Sequence, residues 1–204
     1  MNLYPTLQAT IEKAKSLEIP EDRIPILQDF IDYIQKKIDA DQPVNLNFIC
    51  THNSRRSQFS QIWAKTAAAY YDIEINSFSG GVEVTAFNER AVSSIKRAGF
   101  KVTQKGVGNP KYFVFYSDDD DPIICFSKLY DDSANAPKGF AAVMTCSHAD
   151  ENCPFIPGAE ARIPVRYEDP KAFDGTSEEA DRYDERSLQI ASEMLYVFSR
   201  ISKA

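Results

Sequence analysis

The stretch NLNFICTHNSRRSQFSQIWAK, residues 45–65, decides the fold, because it joins an apolar run to an amphipathic one through a short polar loop. The apolar run VNLNFI, residues 44–49, predicts a buried strand that ends at Cys50. Apolar side chains then recur at helical spacing and predict a helix over residues 57–71. Open α/β sheets bind their ligands beyond the carboxyl ends of the strands. The loop at residues 51–56 is therefore the first place to look for a functional site.

Cys50 and the loop after it have the residue types of a site for a nucleophile and an anion. Inward-facing N–H groups of residues 51–56, together with the helix N-terminus, would form a nest for an anion and favour a thiolate at Cys50. Arg56 would hold two oxygens of a tetrahedral oxyanion, and Ser57 would donate a hydrogen bond to the sulfur. The alternative is a buried cysteine followed by exposed arginines. The pattern C-x-x-x-x-x-R-S between a strand and a helix favours nucleophilic attack on a phosphate-like centre.

The rest of the chain alternates apolar runs with helical patterns, which is typical of an α/β protein with a mostly parallel sheet. Cys146 directly follows one of the predicted strands, so we expect it at the same sheet edge as Cys50. Further strands are predicted at residues 73–79 and 139–145, and further helices at residues 86–100 and 177–201.

Two segments do not follow this alternation. Residues 5–39 predict two amphipathic helices that pack on the main domain, and residues 111–130 predict a β-hairpin around a polar turn. We therefore expect an N-terminal helical extension over residues 1–43 and a main domain over residues 44–204. The hairpin would be an insertion at about residues 106–137 of that domain.

The composition is that of a globular protein and argues against several function classes. A net charge of −7 opposes nonspecific binding of nucleic acid. No apolar run reaches the roughly 18 residues of a membrane span, and the N-terminus lacks a secretory signal, so we expect a cytoplasmic protein. The acidic run at residues 117–122 is expected to be a solvated turn, with metal binding the weaker alternative. Four cysteines in such a protein favour metal binding or thiol chemistry over structural disulfides.

The sequence CTHNSRRSQ, residues 50–58, resembles the phosphate loop of the low-molecular-weight protein tyrosine phosphatase superfamily. Within that superfamily it is similar to the thioredoxin-coupled arsenate reductases. Residues 75–100 resemble the second strand, turn and second helix of the family, and the similarity resumes at about residue 139. It does not cover residues 1–43 or roughly residues 103–137. The resemblance implies a four-stranded parallel sheet with helices on both sides.

This resemblance also implies a role for each residue of the motif. Cys50 would be the nucleophile, Ser57 would assist its thiolate, and Asn53 would brace the loop through its side chain. Asp169, in an Asp-Pro dipeptide that the family shares, would be the general acid for the leaving oxygen. No cofactor is implied. The oxyanion would be bound by the Arg56 side chain and by the loop backbone, at Thr51, His52, Asn53, Ser54, Arg55 and Arg56.

The resemblance further implies a thiol relay through Cys146 and Cys153. Cys50 would attack arsenate, Cys146 would attack Cys50 and release arsenite, and Cys153 would attack Cys146. Thioredoxin would then reduce the disulfide between Cys146 and Cys153. Cys125 is expected to be a small buried hydrophobic residue.

Three alternatives to a reductase follow from the same residues. The first is a phosphatase that hydrolyses phosphotyrosine or another phosphate monoester through a phosphate ester of Cys50. The second is a phosphate-binding module without catalysis. The third is a zinc site in which the two Cys-x-His sequences, at 50–52 and 146–148, bind the metal with Cys153, although Arg55 and Arg56 would repel a cation.

Overall fold

Strands and helices alternate along the chain, and each parallel strand is followed by a helix or a longer connection. The computed structural model describes residues 2–152 and 155–203. A short 3-10 turn, Pro170–Phe173, lies before the last helix. In chain order the elements are α1 (Pro5–Lys15), α2 (Ile24–Asp39), β1 (Asn45–Cys50), α3 (Arg56–Tyr70), β2 (Asn76–Gly81), α4 (Glu89–Arg97), β3 (Lys101–Lys105), β4 (Lys111–Phe115), β5 (Ile123–Cys125), β6 (Phe140–Met144), α5 (Ser147–Asn152), β7 (Ala159–Ile163) and α6 (Glu179–Ser199).

The central sheet has four parallel strands in the order β2–β1–β6–β7. β1 is an inner strand and is buried from Leu46 to Cys50, as expected for a parallel strand that is covered on both faces. Cys50 pairs with Gly81 of β2, and Ile49 pairs with Met144 of β6. The carboxyl ends of these three strands therefore meet at one edge of the sheet. The predicted fold class, a four-stranded parallel sheet flanked by helices, is confirmed.

Helices α3 and α6 pack on each other, because each presents a row of apolar side chains to the other. The indole of Trp63 is fully buried, and its N–H donates a hydrogen bond to Ser187 Oγ of α6 at 2.9 Å. α1 and α2 also contact α6. Through them the N-terminal helical pair joins the main core with Leu7, Ile11, Leu27, Phe30 and Ile34.

A second, antiparallel sheet is formed by β3, β4 and β5. β4 and β5 are the hairpin that the sequence predicts at residues 111–130. The sequence does not indicate β3, because four of its five residues are exposed and its pattern is polar. After β5 the chain returns to the main sheet, where the Gly81 N–H donates to the Lys128 carbonyl and the Tyr130 N–H donates to the Gly81 carbonyl. The hairpin thus delivers residues 126–130 to the carboxyl edge of the sheet.

The segment after Cys146 is helical, although most of its residues are polar. It forms α5, in which Ala149 is fully buried and packs in a small apolar cluster with Cys50 and Cys146. In the part of the chain that the structure describes, every helix is too short or too polar to span a lipid bilayer.

Candidate active site

The loop between β1 and α3 has its carbonyl groups turned outward and its N–H groups left open. Each carbonyl from Thr51 to Arg56 accepts a hydrogen bond from the surrounding protein. In contrast, the N–H groups of residues 52–55 have no hydrogen-bond partner within the described residues. Unpaired, converging N–H groups at a helix N-terminus form a nest for an anion. The donors to the carbonyls are Val82, Glu83, Ser127, Thr85, Gln58, Asn88, Phe59 and Ser60.

Asn53 holds the loop in this conformation. Its φ of 47° lies in the left-handed region, which asparagine tolerates better than most residues. Its side-chain Nδ2 donates to Ser57 Oγ at 2.8 Å, and its Oδ1 accepts from the Lys128 N–H at 3.0 Å. Gly81 packs against the loop so closely that a Cβ there would lie 2.7 Å from the Asn53 nitrogen. Two neighbouring segments, at Lys128 and at Gly81 of β2, therefore determine the conformation of the loop.

Cys50 and Ser57 lie within hydrogen-bond distance, with 3.1 Å between Sγ and Oγ. Because Asn53 already donates to the Ser57 oxygen, the hydroxyl proton of Ser57 is free to point at the sulfur. Cys50 is only 4% exposed, so a substrate reaches it only through the open side of the loop. The arrangement places a hydroxyl group and the N-terminus of α3 beside the sulfur.

Arg56, the first residue of α3, is bound to the segment that follows β7. Its Nη1 donates to the Tyr167 carbonyl at 3.0 Å, and its Nη2 donates to Asp169 Oδ2 at 2.7 Å. Its Nε is buried and has no hydrogen-bond partner in the described part of the chain. An unpaired buried donor is costly, and an oxyanion in the loop would satisfy it. Asp169 also accepts from the Lys171 N–H at 3.1 Å, so its carboxylate is held on both sides.

Buried charged residues hold the side chain of Tyr167 in place. Its hydroxyl donates to Glu193 Oε2 at 2.8 Å, and burial raises the pKa of Tyr167 well above its usual value. Glu193, on α6, is 1% exposed and is bound by both Nε and Nη2 of Arg23, at 2.9 and 2.6 Å. The guanidinium of Arg23 also donates to the Arg166 carbonyl and lies over the Tyr167 ring.

The side chains of the other predicted loop residues point away from the nest. Arg55 donates to the Tyr183 hydroxyl at 2.8 Å and pairs with Asp174, so its charge is already neutralised. His52 lies 3.3 Å from Glu83 at the surface. The Ser54 hydroxyl donates to the Ala86 carbonyl. These residues therefore contribute their backbone groups to the nest, while their side chains anchor the loop.

Cys146 lies beside the nest, next to the residue that follows Cys50. Its Sγ is 3.6 Å from Thr51 Oγ1, and it accepts a hydrogen bond from the Ala149 N–H at 3.4 Å. Thr51 Oγ1 also lies 3.2 Å from His148 Nδ1. Cys146 is 1% exposed. The predicted third member of the relay, Cys153, lies outside the described residues, as does any zinc site that would include it.

Cys125, in contrast, has the environment of a structural cysteine. It is fully buried at the end of β5, and burial raises the pKa of its thiol to about 12. A thiol with so high a pKa is neutral and unreactive at physiological pH.

The structure resembles solved phosphatases in fold. The low-molecular-weight protein tyrosine phosphatase from T. tengcongensis superposes with a TM-score of 0.52 at 14% sequence identity, over 78% of this chain and 99% of that one. No protein-family model matches this chain. Curated protein sequences share a higher sequence identity with this chain. The arsenate reductase of Halalkalibacterium halodurans is 29% identical over 132 residues, which are 65% of this chain and 78% of the relative.

The arsenate reductase of Brevibacillus brevis is 32% identical over 123 residues, which are 60% of this chain and 74% of the relative. The chain belongs to the same family as these curated arsenate reductases, and it has the fold of the low-molecular-weight protein tyrosine phosphatases. It is an enzyme of one of two kinds, an arsenate reductase or a phosphatase.

Several residues that hold the loop in place are not apparent from the sequence. Ser127 and Lys128 sit in the predicted insertion, and Arg23 sits in the N-terminal extension, so no motif marks them. Glu193 resembles any other acid of an amphipathic helix. One signal was available for Glu193, because its position falls on the buried face of α6, where an unpaired acid is not expected.

Proposed function

We propose that this chain is an arsenate reductase in which Cys50 forms the arsenate adduct and a thiol relay through Cys146 and Cys153 completes the reduction. The observation that carries the proposal is the nest of open N–H groups around Cys50, with Cys146 at the end of the neighbouring strand. The similarity to curated arsenate reductases supports the choice of arsenate as the substrate.

The first step is attack of the Cys50 thiolate on the arsenic atom of arsenate. The N–H groups of residues 52–55 and the Arg56 Nε hold the arsenate oxygens, and one oxygen leaves as water after it has been protonated. Asp169 is the proposed acid for this oxygen. Arg56 and Asp169 are paired in the structure, so substrate binding has to draw the guanidinium from the carboxylate before the acid can work.

The second step is attack of Cys146 on the sulfur of Cys50. A disulfide forms between them, the sulfur–arsenic bond breaks, and its electron pair remains on arsenic, which leaves as arsenite. Cys153 then attacks Cys146, and the resulting disulfide is reduced by a dithiol protein of the thioredoxin kind. α5 begins directly after Cys146 and donates a hydrogen bond to its sulfur.

The second candidate is hydrolysis of a phosphate monoester at the same Cys50, Arg56 and Asp169. A cleft of about 420 Å³ beside the loop favours this reading, because it would accommodate an organic leaving group. It is open to solvent and is lined by His52, Ser54, Arg55, Thr85, Ala86, Phe87, Asn88, Glu89, Arg90 and Lys171. Arsenate alone needs no such space.

The deciding experiment compares Cys50→Ser, Cys146→Ser and Cys153→Ser in two assays. Arsenate reduction is measured with thioredoxin, thioredoxin reductase and NADPH, and ester hydrolysis is measured with p-nitrophenyl phosphate. We expect Cys50→Ser to lose both activities, and the other two variants to lose reduction while they keep hydrolysis. Cys125→Ser is the matched control and should keep both. Undiminished arsenate reduction in Cys153→Ser would refute the relay, and phosphate binding without either activity would leave a binding module.

We further propose that the catalytic unit is the main domain at residues 44–204, with the helical extension at residues 1–43 and the hairpin insertion packed on it. The reaction needs a reducing compartment, which agrees with a cytoplasmic location.

A further inference from the structure

Arg23 belongs to the N-terminal extension, yet it reaches the segment that holds Arg56. It lies at the start of α2, and its guanidinium grips both oxygens of Glu193. Glu193 in turn accepts from the Tyr167 hydroxyl, and the Tyr167 carbonyl accepts from Arg56 Nη1. An unbroken chain of hydrogen bonds therefore runs from the extension to the guanidinium at the nest.

The electrostatics of this hydrogen-bond path explain why Arg23 is important. A carboxylate that is 1% exposed is costly to bury unless a cation and further donors satisfy it. Arg23 supplies the cation with two parallel N–H bonds, the geometry that fixes orientation as well as charge. Without it, the Glu193 carboxylate would shift toward its remaining donors or move toward water. Either change alters its bond to Tyr167.

We propose that Arg23 is a positioning residue for Arg56, through which the N-terminal helical pair becomes part of the anion site. Arg23 does not touch the nest. It fixes Glu193, Glu193 fixes Tyr167, and the Tyr167 carbonyl fixes the plane of the Arg56 guanidinium. The inference rests on the proposed anion site but not on the cysteine relay.

The chain offers a matched control for this idea. Lys37, on α2, pairs with Glu160 of β7 in the main sheet. Like the pair of Arg23 and Glu193, this ion pair ties α2 to the main domain, but it has no bonded path to Arg56. If Arg23 serves only to dock the extension, loss of either pair should have the same consequence for the site.

The test is a double-mutant cycle on the binding of inorganic phosphate to the full chain, measured by calorimetry at pH 7. We expect Arg23→Met and Tyr167→Phe each to weaken phosphate binding about tenfold, and Lys37→Met to change it by less than twofold. The double variant Arg23→Met/Tyr167→Phe should be no weaker than either single variant, because both break the same path. In the double variant Lys37→Met/Tyr167→Phe, the losses in the free energy of phosphate binding should instead add.

Several outcomes would overturn the inference. Wild-type affinity in Arg23→Met would do so, as would equal losses in Arg23→Met and Lys37→Met, or additivity in the first cycle. If Arg23→Met does not fold, Arg23→Lys takes its place. It keeps the charge but cannot bind both Glu193 oxygens and the Arg166 carbonyl together, and it should show an intermediate loss. Absence of phosphate binding in the wild-type chain would refute the anion site itself rather than the role of Arg23.

Discussion

The two sides of the nest are held by different forces. On one side, residues 126–128 hold the loop through neutral hydrogen bonds, such as Ser127 Oγ to the His52 carbonyl at 2.8 Å. On the other side, residues 167–169 hold Arg56, and the contact to Asp169 is an ion pair. Neutral bonds of fixed geometry suit a backbone that must keep its shape. An ion pair suits the proposed role of Arg56, which would exchange one anion, the Asp169 carboxylate, for another, the substrate.

The largest effect is expected from Arg56→Lys, which breaks the charged side. Lysine keeps the charge but loses the planar fork and the buried Nε donor, so we expect kcat/KM for p-nitrophenyl phosphate to fall by roughly 100- to 1,000-fold. Arg55→Lys is the matched control, since Arg55 is turned toward Asp174, and it should lose less than tenfold. Equal losses in the two variants would contradict the assignment.

The Asp169→Asn variant separates two roles of Asp169, the proposed donation of a proton and the ion pair with Arg56. An amide cannot donate the catalytic proton, so we expect kcat to fall by roughly 100-fold. It also no longer pairs with Arg56, which frees the guanidinium, so phosphate should bind as tightly as in the wild type or more tightly. Steady-state kinetics and calorimetry measure the two quantities. Weaker phosphate binding would show that Asp169 organises the site rather than serving as its acid.

The Asn53→Ala variant removes hydrogen bonds on the side of the nest that neutral groups hold. It removes two buried hydrogen bonds and places alanine at a φ of 47°, so we expect the free energy of unfolding to fall by about 3 kcal/mol. Phosphate binding should weaken about tenfold, because the N–H groups no longer converge. Asn109→Ala is a suitable control. The side chain of Asn109 forms two hydrogen bonds with the backbone of Ser127, and it has no hydrogen bond to the loop. Urea unfolding and calorimetry should show a smaller loss of both quantities for this control.

The smallest effect concerns Lys128, the one charged group on the neutral side. Its side chain is 4% exposed, and burial lowers its pKa to about 8, against the opposing influence of Cys125 and Asp132. Because this pKa is lower in the folded than in the unfolded chain, the protonated form is destabilising below pH 8, and stability is gained as pH rises through that value. We expect a gain of about 1 kcal/mol between pH 7.5 and 9.

Lys128→Met should remove this gain, and Lys111→Met should retain it. The ammonium groups of both lysines lie over the Phe126 ring, but Lys111 is exposed. The measurement is urea unfolding at each pH. An unchanged pH dependence in Lys128→Met would show that another group titrates.

The sequence predicts local features of this protein better than contacts between distant segments. The strand, loop and helix around Cys50 follow from patterns within about twenty residues, and so does the hairpin of β4 and β5. Cys125 also behaves as its apolar neighbours suggest. In contrast, the partners of Arg56 and Asn53 come from Tyr167 and Lys128, more than seventy residues away, and no local pattern indicates them. The position of Cys153 relative to Cys146 stays a prediction.

The outward-turned carbonyls of the loop have a consequence for how the enzyme is made. Apart from the donors in α3, their donors and the braces of Asn53 and Arg56 lie in three later segments, the last near residue 167. A ribosome that has released only the first 120 residues presents Cys50 without Lys128 or Tyr167. The thiol therefore acquires the surroundings of the proposed anion site only when most of the polypeptide has emerged, and a half-synthesised chain carries an ordinary cysteine rather than the proposed nucleophile.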